Sequence, residues 1–240
     1  MDAIQYLEVR EASRLLNSVK VGFNQPSEIE HRMLEVDDGL TDSEQRMMRY
    51  LSPRSCVLDI GCAVGRASIA LAQAGHIVTG VDVAGRLIEK AQQIATEKKI
   101  DTVFRVCKPL SLPFPDAAFD AAILLKTFCY VPRRQNRVKW LTEIARVVRP
   151  KGWLFLSQYI LDGILDSYDE VRDEKHNRFA IDYETLEEGD GFTLARNEND
   201  HSHYLHFFMK ADLLLELRSS PFQIIKSFRE ETLCYMTLQK

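Results

Sequence analysis

Short apolar runs alternate with amphipathic stretches along most of the chain. Five of the runs are typical of buried strands, at residues 56–60, 76–81, 103–106, 121–125 and 153–159. Between them, apolar residues recur at helical spacing, which predicts helices from residue 66, from 87 to about 98 and from 134 to 148. Strands that alternate with helices predict a parallel sheet with helices on both faces, the doubly wound α/β architecture.

The C-terminal pattern predicts a different connection. Strands at 222–228 and 232–238 follow a leucine-rich helix at 210–218, and only Arg229-Glu230-Glu231 separates them. So short a connection cannot cross over the sheet, so the two strands must pair antiparallel. The sequence therefore predicts seven strands in a mostly parallel sheet that ends in an antiparallel hairpin.

Two segments are predicted to be additions to a single domain of residues 1–240. Residues 1–40 carry two amphipathic helical patterns separated at 22–26, and are interpreted as a helical segment that can act as a lid. Residues 160–208 combine an acidic helical stretch at 162–175 with short strands at 178–182, 192–196 and 203–208, and are interpreted as an inserted substrate cap. A capping box, Thr41 to Glu44, predicts the start of a helix that runs to about residue 51.

Composition narrows the functional class. The 240 residues carry a formal net charge of −4, which argues against general nucleic-acid binding. No apolar run is long enough to span a membrane, and no N-terminal segment is typical of a secretory signal. The five cysteines are scattered and never spaced C-x-x-C, which favours buried thiols in a reducing compartment and hence a cytoplasmic protein.

The candidate chemistry lies where the first strand ends. Gly61-Cys62-Ala63-Val64-Gly65 forms a tight turn before a helix, and the next strand ends in Asp82. Backbone amides at a helix N-terminus can receive polar ligand atoms, and a carboxylate about 20 residues further on can accept both hydroxyls of a ribose. This unit predicts an adenosine-type ligand. A pyrophosphate-binding G-x-G-x-x-G is not met, because Ala63 and Arg66 occupy glycine positions.

Three stretches resemble the class I S-adenosylmethionine-dependent methyltransferases. Residues 59–65 match that family's D/E-x-G-x-G-x-G motif except at Ala63, residues 112–120 match its LPF…D-x-x-FD segment, and residues 141–157 resemble its helix, turn and fifth strand. The resemblance covers roughly residues 41–240 and is weakest across 160–208. It implies a Rossmann-like methyltransferase fold, the cofactor S-adenosyl-L-methionine and a small-molecule methyl acceptor.

The resemblance also implies the cofactor contacts. The turn should contact the methionine part, Asp82 the ribose hydroxyls and Lys126 the cofactor backbone, while Val83 and Leu110 flank the adenine. The cofactor-binding residues expected are Asp59, Gly61, Cys62, Gly65, Asp82, Val83, Leu110 and Lys126. Lys108 stands where relatives carry an acidic residue that accepts from the adenine amino group, so main-chain groups near Leu110 are expected to replace it.

The sequence does not identify a catalytic residue. Tyr130 follows the fourth strand and is expected to line the acceptor pocket, and His203 is a candidate general base because histidine titrates near neutral pH. In an extended strand His201 and His203 share a face and His206 points away, so no metal site is predicted.

Two other functions stay open at this point. One is a NAD(P)-dependent oxidoreductase, which Arg66 and the terminal hairpin disfavour. The other is a non-catalytic protein that binds S-adenosylmethionine or serves as an interaction module, which Ala63 and Lys108 slightly support. The oligomeric state is not indicated by the sequence.

Overall fold

A computed structural model of the chain describes residues 3–161, 183–193 and 195–240. Its strands are β1 (Cys56–Ile60), β2 (Ile77–Asp82), β3 (Val103–Val106), β4 (Phe119–Leu125), β5 (Val148–Tyr159), β6 (Asp190–Phe192), β7 (Tyr204–His206), β8 (Gln223–Glu230) and β9 (Leu233–Gln239). Its helices are α1 (Ala3–Phe23), α2 (Pro26–Leu34), α3 (Asp42–Met48), α4 (Arg66–Gln73), α5 (Gly85–Glu97), α6 (Arg134–Val147) and α7 (Lys210–Arg218). Single 3-10 turns lie at Phe128–Tyr130 and Tyr183–Thr185.

Seven strands form one sheet in the order β3-β2-β1-β4-β5-β9-β8. Strands β1 to β5 pair parallel, whereas β9 runs antiparallel to both β5 and β8. The predicted α/β fold with a mostly parallel sheet and a reversed C-terminal hairpin is confirmed. Because the strand order reverses at β1, which pairs with both β2 and β4, a crevice opens at the carboxyl ends of these strands.

Alternating residues of the central strands pack against helices on opposite faces. Leu58 of β1 belongs to the core that contains α6 and α7, and its neighbour Val57 belongs to the core that contains α3 and α4. All five residues of β1 except Cys56 are buried. Burial on both faces explains why the strand is almost continuously apolar.

The N-terminal helices pack against a second, two-stranded sheet. Leu15 and Val19 of α1 are buried with Phe192 of β6 and Tyr204 of β7. The backbone N–H of Tyr204 donates to the hydroxyl of Ser18 at 3.1 Å. The two helices expected in residues 1–40 are therefore present; α1 packs on the β6–β7 hairpin, and Glu28 of α2 forms an ion pair with Arg196 between its strands.

The capping box is present at the start of α3. The amide of Glu44 donates to the Thr41 hydroxyl at 3.2 Å, and the amide of Thr41 donates to the Glu44 carboxylate at 2.9 Å. These reciprocal bonds satisfy two amides that the first turn of a helix leaves unpaired. The helix ends at Met48 rather than near residue 51.

Two boundaries differ from expectation. The strands expected at 192–196 and 203–208 pair as Asp190–Phe192 with Tyr204–His206, so Asp190 lies in a strand and pairs with His206. Strand β5 begins at Val148, which pairs with Phe119 before an irregularity, and regular pairing resumes at Trp153. The helix predicted at 162–175 and the strand predicted at 178–182 lie outside the described residues.

None of the helices in the described part of the chain combines the length and apolar composition that crossing a bilayer requires.

Candidate active site

The glycine turn after β1 is held by backbone bonds to the neighbouring strand. The amides of Gly61 and Cys62 both donate to the carbonyl of Val81, at 2.8 and 3.1 Å. Gly61 has φ +72°, and a Cβ built there would lie 2.4 Å from Cγ2 of Thr127. Only glycine fits both the left-handed backbone and this close approach, so the turn sits tightly between β2 and the tip of β4.

Asp82 closes the turn from the end of β2. One carboxylate oxygen accepts from the amide of Ala63 at 3.0 Å, and the other accepts from the amide of Ala84 at 2.9 Å. Burial raises the pKa of Asp82, and the N–H donors of Ala84 and Ala63 only partly offset that rise. The side chain is 8% exposed, and each oxygen keeps a lone pair for a ligand donor.

Asp59 lies within β1, directly below the turn. Its carboxylate accepts a 2.6 Å hydrogen bond from the hydroxyl of Ser68 in α4, so it anchors the first turn of the helix that follows the glycines. Burial raises the pKa of Asp59 to about 6, against the opposing effect of the Ser68 bond and the Arg66 charge. The side chain also reaches the cavity described next.

A cavity of about 510 Å³ lies at the carboxyl ends of β1, β2 and β4. Seven of the eight expected cofactor residues line it: Asp59, Gly61, Cys62, Asp82, Val83, Leu110 and Lys126. Gly65 does not line it, since at φ +91° it caps α4 and packs against Phe104. The assignment of these residues to particular cofactor atoms stays a prediction.

The loop after β3 forms one side of this cavity. Lys108, Pro109 and Leu110 all line it, and Leu110 has φ +58° in a tight reversal in which the Ser111 amide donates to the Lys108 carbonyl. The reversal presents main-chain groups beside Val83. This placement is compatible with adenine held without an acidic side chain.

The shape and donor set of the cavity fit S-adenosylmethionine. The buried carboxylate of Asp82 can accept further hydrogen bonds and lies beside the glycine turn. A Cβ at Gly61 would clash with Thr127, and the N-terminus of α4 follows the turn. A dinucleotide pyrophosphate would need glycine where Arg66 begins α4.

Comparisons with known proteins also support a site for S-adenosylmethionine. Residues 58–156 match the family model described as Methyltransferase domain. The chain is 34% identical over 108 residues to 27-O-demethylrifamycin SV methyltransferase of Amycolatopsis mediterranei, a match that covers 44% of this chain and 39% of that protein. It is 31% identical over 137 residues to the O-methyltransferase rstn1 of Aspergillus nomiae, which covers 53% of this chain and 60% of the relative.

Residues 58–156 therefore carry a methyltransferase domain, and the relatives support a class I S-adenosylmethionine-dependent methyltransferase. They likewise support S-adenosyl-L-methionine as the cofactor. A crystal structure of a SAM-dependent methyltransferase from Methanosarcina mazei superposes with a TM-score of 0.71 at 24% identity, covering 84% of this chain and 98% of that one, and this likeness concerns the fold. The matched segments span less than two thirds of the two sequence relatives.

The same methyltransferase cavity extends away from the cofactor residues. Leu16, Val19 and Phe23 of α1 and Arg32 of α2 line this extension, together with Tyr130, Val131 and Trp140 and with Leu205, His206 and Phe207 of the hairpin region. The walls are mostly apolar, as expected of a small-molecule site.

Tyr130 also lines this cavity, and its place beside the acceptor stays a prediction. Its ring packs edge-on against Phe23, with centroids 4.9 Å apart. Burial raises the pKa of the Tyr130 phenol, so the hydroxyl stays protonated near neutral pH.

His203 does not line the large cavity, although its ring lies 4.7 Å from that of Phe23 and 5.7 Å from that of Tyr130, which do. Its ring packs against Gly22, where a Cβ would approach Nδ1 to 2.3 Å, and Nδ1 lies 3.2 Å from the Thr193 hydroxyl. It lines a separate cavity of about 170 Å³ with Glu28 and Arg196. Burial lowers the pKa of His203 to about 4. These features make it a weak base that does not line the large cavity.

His206 and Asp190 were not among the expected site residues. The imidazole Nδ1 of His206 lies 2.8 Å from a carboxylate oxygen of Asp190, and His206 lines the large cavity. The sequence contains three histidines within six residues, which draws attention to this segment. The register of the hairpin then determines which of the three lies opposite a carboxylate. Ligand atoms of Glu187, Asp190 and His206 also lie within 4.8 Å of one another, although both carboxylates already accept hydrogen bonds from protein donors.

Proposed function

We propose that the chain transfers the methyl group of S-adenosylmethionine to a small-molecule acceptor. When bound, the cofactor supplies a methyl group on a sulfonium sulfur: the acceptor lone pair bonds to the methyl carbon, and the carbon–sulfur pair remains on the sulfur. Because that methyl group is already activated, the chain contributes mainly by holding the two molecules in line and excluding water.

One observation carries the proposal: a single cavity joins the glycine turn and Asp82 to the apolar wall around Tyr130. Asp82 would accept from the ribose hydroxyls, the turn would contact the methionine part, and Val83 and Leu110 would flank the adenine. Asp59 would hold the turn through Ser68, and Lys126 would contact the cofactor backbone.

Several features support a small acceptor. The cavity volume lies within the range of small-molecule sites, and α1 and α2 contribute side chains to its wall, as a lid would. One sequence relative is named for a rifamycin substrate. The net charge of −4 offers little attraction for a nucleic acid, and the five free cysteines suit the cytoplasm.

Calorimetry with S-adenosylhomocysteine tests the cofactor site. Asp82→Asn should weaken binding at least tenfold, because an amide donates where the ribose hydroxyls need an acceptor. Asp101→Asn, at an exposed aspartate that does not line the cavity, is the matched control and should bind as the wild type does. Equal affinity of the two variants would contradict the ribose role of Asp82.

Ligand choice and turnover test the activity itself. S-adenosylhomocysteine should raise the melting temperature, whereas NAD and NADP should not, since only a bound ligand stabilises by mass action. Isotope transfer from methyl-labelled cofactor to small hydroxylated, amine and thiol acceptors then measures catalysis. Cofactor binding with no transfer across all three classes would favour a binding protein instead.

A further inference from the structure

The side chains of His206 and Asp190 form a buried pair on the wall of the large cavity. Imidazole Nδ1 lies 2.8 Å from the carboxylate, and the two residues are 5% and 0% exposed. Because an ionised carboxylate only accepts hydrogen bonds, Nδ1 carries the proton and Nε2 carries the lone pair. No described residue forms a hydrogen bond with Nε2, so this atom is free to accept a proton.

Asp190 is itself held in one orientation. The same oxygen that faces His206 accepts a 2.6 Å bond from the Tyr204 hydroxyl, and the other accepts from the amide of Glu187 at 2.9 Å. These partners lie on the facing strand β7 and in the turn that precedes β6. The imidazole plane is therefore set by a rigid carboxylate, as a positioned base requires.

The other charged groups around the pair are already matched. Arg137 makes a bidentate ion pair with Glu216 and lies 3.4 Å from Glu187. These carboxylates balance the arginine charge, and the Asp190 carboxylate lies 2.8 Å from His206, where it would stabilise positive charge on the imidazole. A cationic imidazole would thus form next to a fixed negative charge in a low-dielectric site.

We propose that His206 is the general base that deprotonates a weakly acidic hydroxyl, phenolic or enolic, on the methyl acceptor, and that Asp190 is its positioning residue. This inference rests on the proposed methyl transfer. The acceptor O–H bond breaks, its electron pair stays on oxygen, and the lone pair of Nε2 forms the new N–H bond. The imidazolium afterwards releases this proton to solvent.

The chemical class of the acceptor follows from the acidity of its hydroxyl and from the residues that line the large cavity. A phenol, like the tyrosine side chain, has an ordinary pKa of about 10, whereas an aliphatic alcohol is far less acidic, so a positioned imidazole suits a phenolic or enolic hydroxyl. Val131, Trp140 and Phe207 line the same cavity and suit a flat apolar ring.

The two candidates that the sequence offered, His203 and Tyr130, are less suited to act as the base. His203 lies on the separate, smaller cavity, and burial lowers its pKa to about 4. Burial raises the pKa of Tyr130, which makes it a hydrogen-bond donor at neutral pH.

A bound chromogenic phenol tests the proton transfer without turnover. The probe is 4-nitrophenol, added to the protein saturated with S-adenosylhomocysteine at a pH where the free probe is protonated and colourless. We expect the yellow phenolate on the wild-type protein, and an at least tenfold smaller phenolate signal on His206→Gln at equal probe occupancy measured by dialysis. His203→Gln is the matched control and should keep the signal.

Two further measurements sharpen the outcome. Asp190→Asn should shift the ionisation of the bound probe to higher pH, which a purely structural role with intact probe binding would not do. Equal colour on His206→Gln, a colourless bound probe on the wild type, or no binding of the probe would overturn the proposal. A signal lost with EDTA and restored by zinc would overturn it as well, because a metal on Glu187, Asp190 and His206 would then hold the phenolate.

Calorimetry with S-adenosylhomocysteine on the same samples distinguishes failure of the general-base assignment from failure of the proposed methyl transfer. A wild-type protein that binds this ligand but does not ionise the phenol loses only the general-base assignment. A protein that binds no S-adenosylhomocysteine loses the proposed function.

Discussion

Arg66 and Glu44 form a bidentate ion pair that joins α4 to α3 beneath the glycine turn. The two guanidinium nitrogens donate to the two carboxylate oxygens at 2.7 and 2.8 Å, and the glutamate side chain is 1% exposed. The same carboxylate accepts from the amide of Thr41 in the capping box. A single side chain thus caps one helix and fixes the first residue of the next, directly after the turn that borders the cofactor cavity.

Glu44→Gln is expected to destabilise the protein by about 3–5 kcal/mol near neutral pH, because it leaves the Arg66 charge without its partner. Urea unfolding measures the change. Glu89→Gln, at an exposed helical glutamate, is the control and should stay within about 0.5 kcal/mol of wild type.

The penalty of Glu44→Gln should shrink in acid. Burial opposes ionisation of Glu44, but the bonds and charge of Arg66 outweigh it and lower the pKa of Glu44 below its usual 4.5. A lowered folded-state pKa contributes stability above the unfolded pKa and loses it as the pH falls through the folded value. A penalty that is unchanged below that range would contradict this account.

Asp59→Asn is expected to have the opposite pH dependence. Burial raises the pKa of Asp59 from 3.8 to about 6, so between these values the folded protein binds a proton that the unfolded chain has lost. Wild-type stability contributed by this group therefore falls as pH rises from about 4 to about 6 and stays low above it. The ceiling for the gain in the variant above that range is about 3 kcal/mol.

Thermal melts of ligand-free Asp59→Asn and wild type across this range check the sign. The amide can still accept from Ser68, so the hydrogen bond is retained. Asp101→Asn should show no such trend, and a gain for Asp59→Asn that is equal at both ends of the range would refute the assignment.

Gly61→Ala should cost both stability and cofactor affinity. Its Cβ would lie 2.4 Å from Cγ2 of Thr127, in addition to the strain of φ +72°. Gly75→Ala is the matched control, since φ is +90° there but no atom lies within 4 Å of the added Cβ. We expect about 1–2 kcal/mol for Gly75→Ala from backbone strain alone, and a larger loss for Gly61→Ala.

Calorimetry should show at least tenfold weaker S-adenosylhomocysteine binding for Gly61→Ala and unchanged binding for Gly75→Ala. Adding Thr127→Ala to Gly61→Ala removes the clashing atoms and should restore part of both losses. Equal destabilisation by the two single variants would mean that the close approach to Thr127 is unimportant.

Arg137→Met is expected to destabilise the protein by about 3–5 kcal/mol in urea unfolding. Arg137 is 2% exposed and Glu216 is 1% exposed, so the variant leaves a buried carboxylate unpaired. The double variant Arg137→Met with Glu216→Leu removes both charges and should recover most of the loss. A double variant as unstable as the single one would show that packing, not the unpaired charge, sets the cost.

Much of the cofactor side of the site could be predicted from sequence. The glycine turn and Asp82 follow two consecutive strands joined by one helix, so their contact, which spans 19 residues, lies within a single strand–helix–strand unit. The same holds for the capping box at Thr41 and Glu44, whose bonds span three residues. The C-terminal hairpin could be predicted because only three residues, 229–231, separate its two expected strands, too few for a crossover.

The acceptor side could not be predicted in the same way. The alternation of side chains suggested that His206 would point away from His203, which is consistent with the structure, but it gave no reason to connect His206 with the cavity or with Asp190. That connection depends on the register of β6 against β7, which is stabilised by the packing of α1 on Tyr204.

By itself the sequence determined the order of strands and helices, the glycine turn that lines the large cavity and the resemblance to a methyltransferase family. The tertiary structure alone decided which histidine reaches the cavity, that Arg66 pairs with Glu44, and that Arg137 pairs with Glu216 across 79 residues. The physical reason is the distance along the chain over which each interaction acts. Hydrophobic periodicity and turn chemistry depend on nearby residues, whereas these buried ion pairs form only when distant segments pack together.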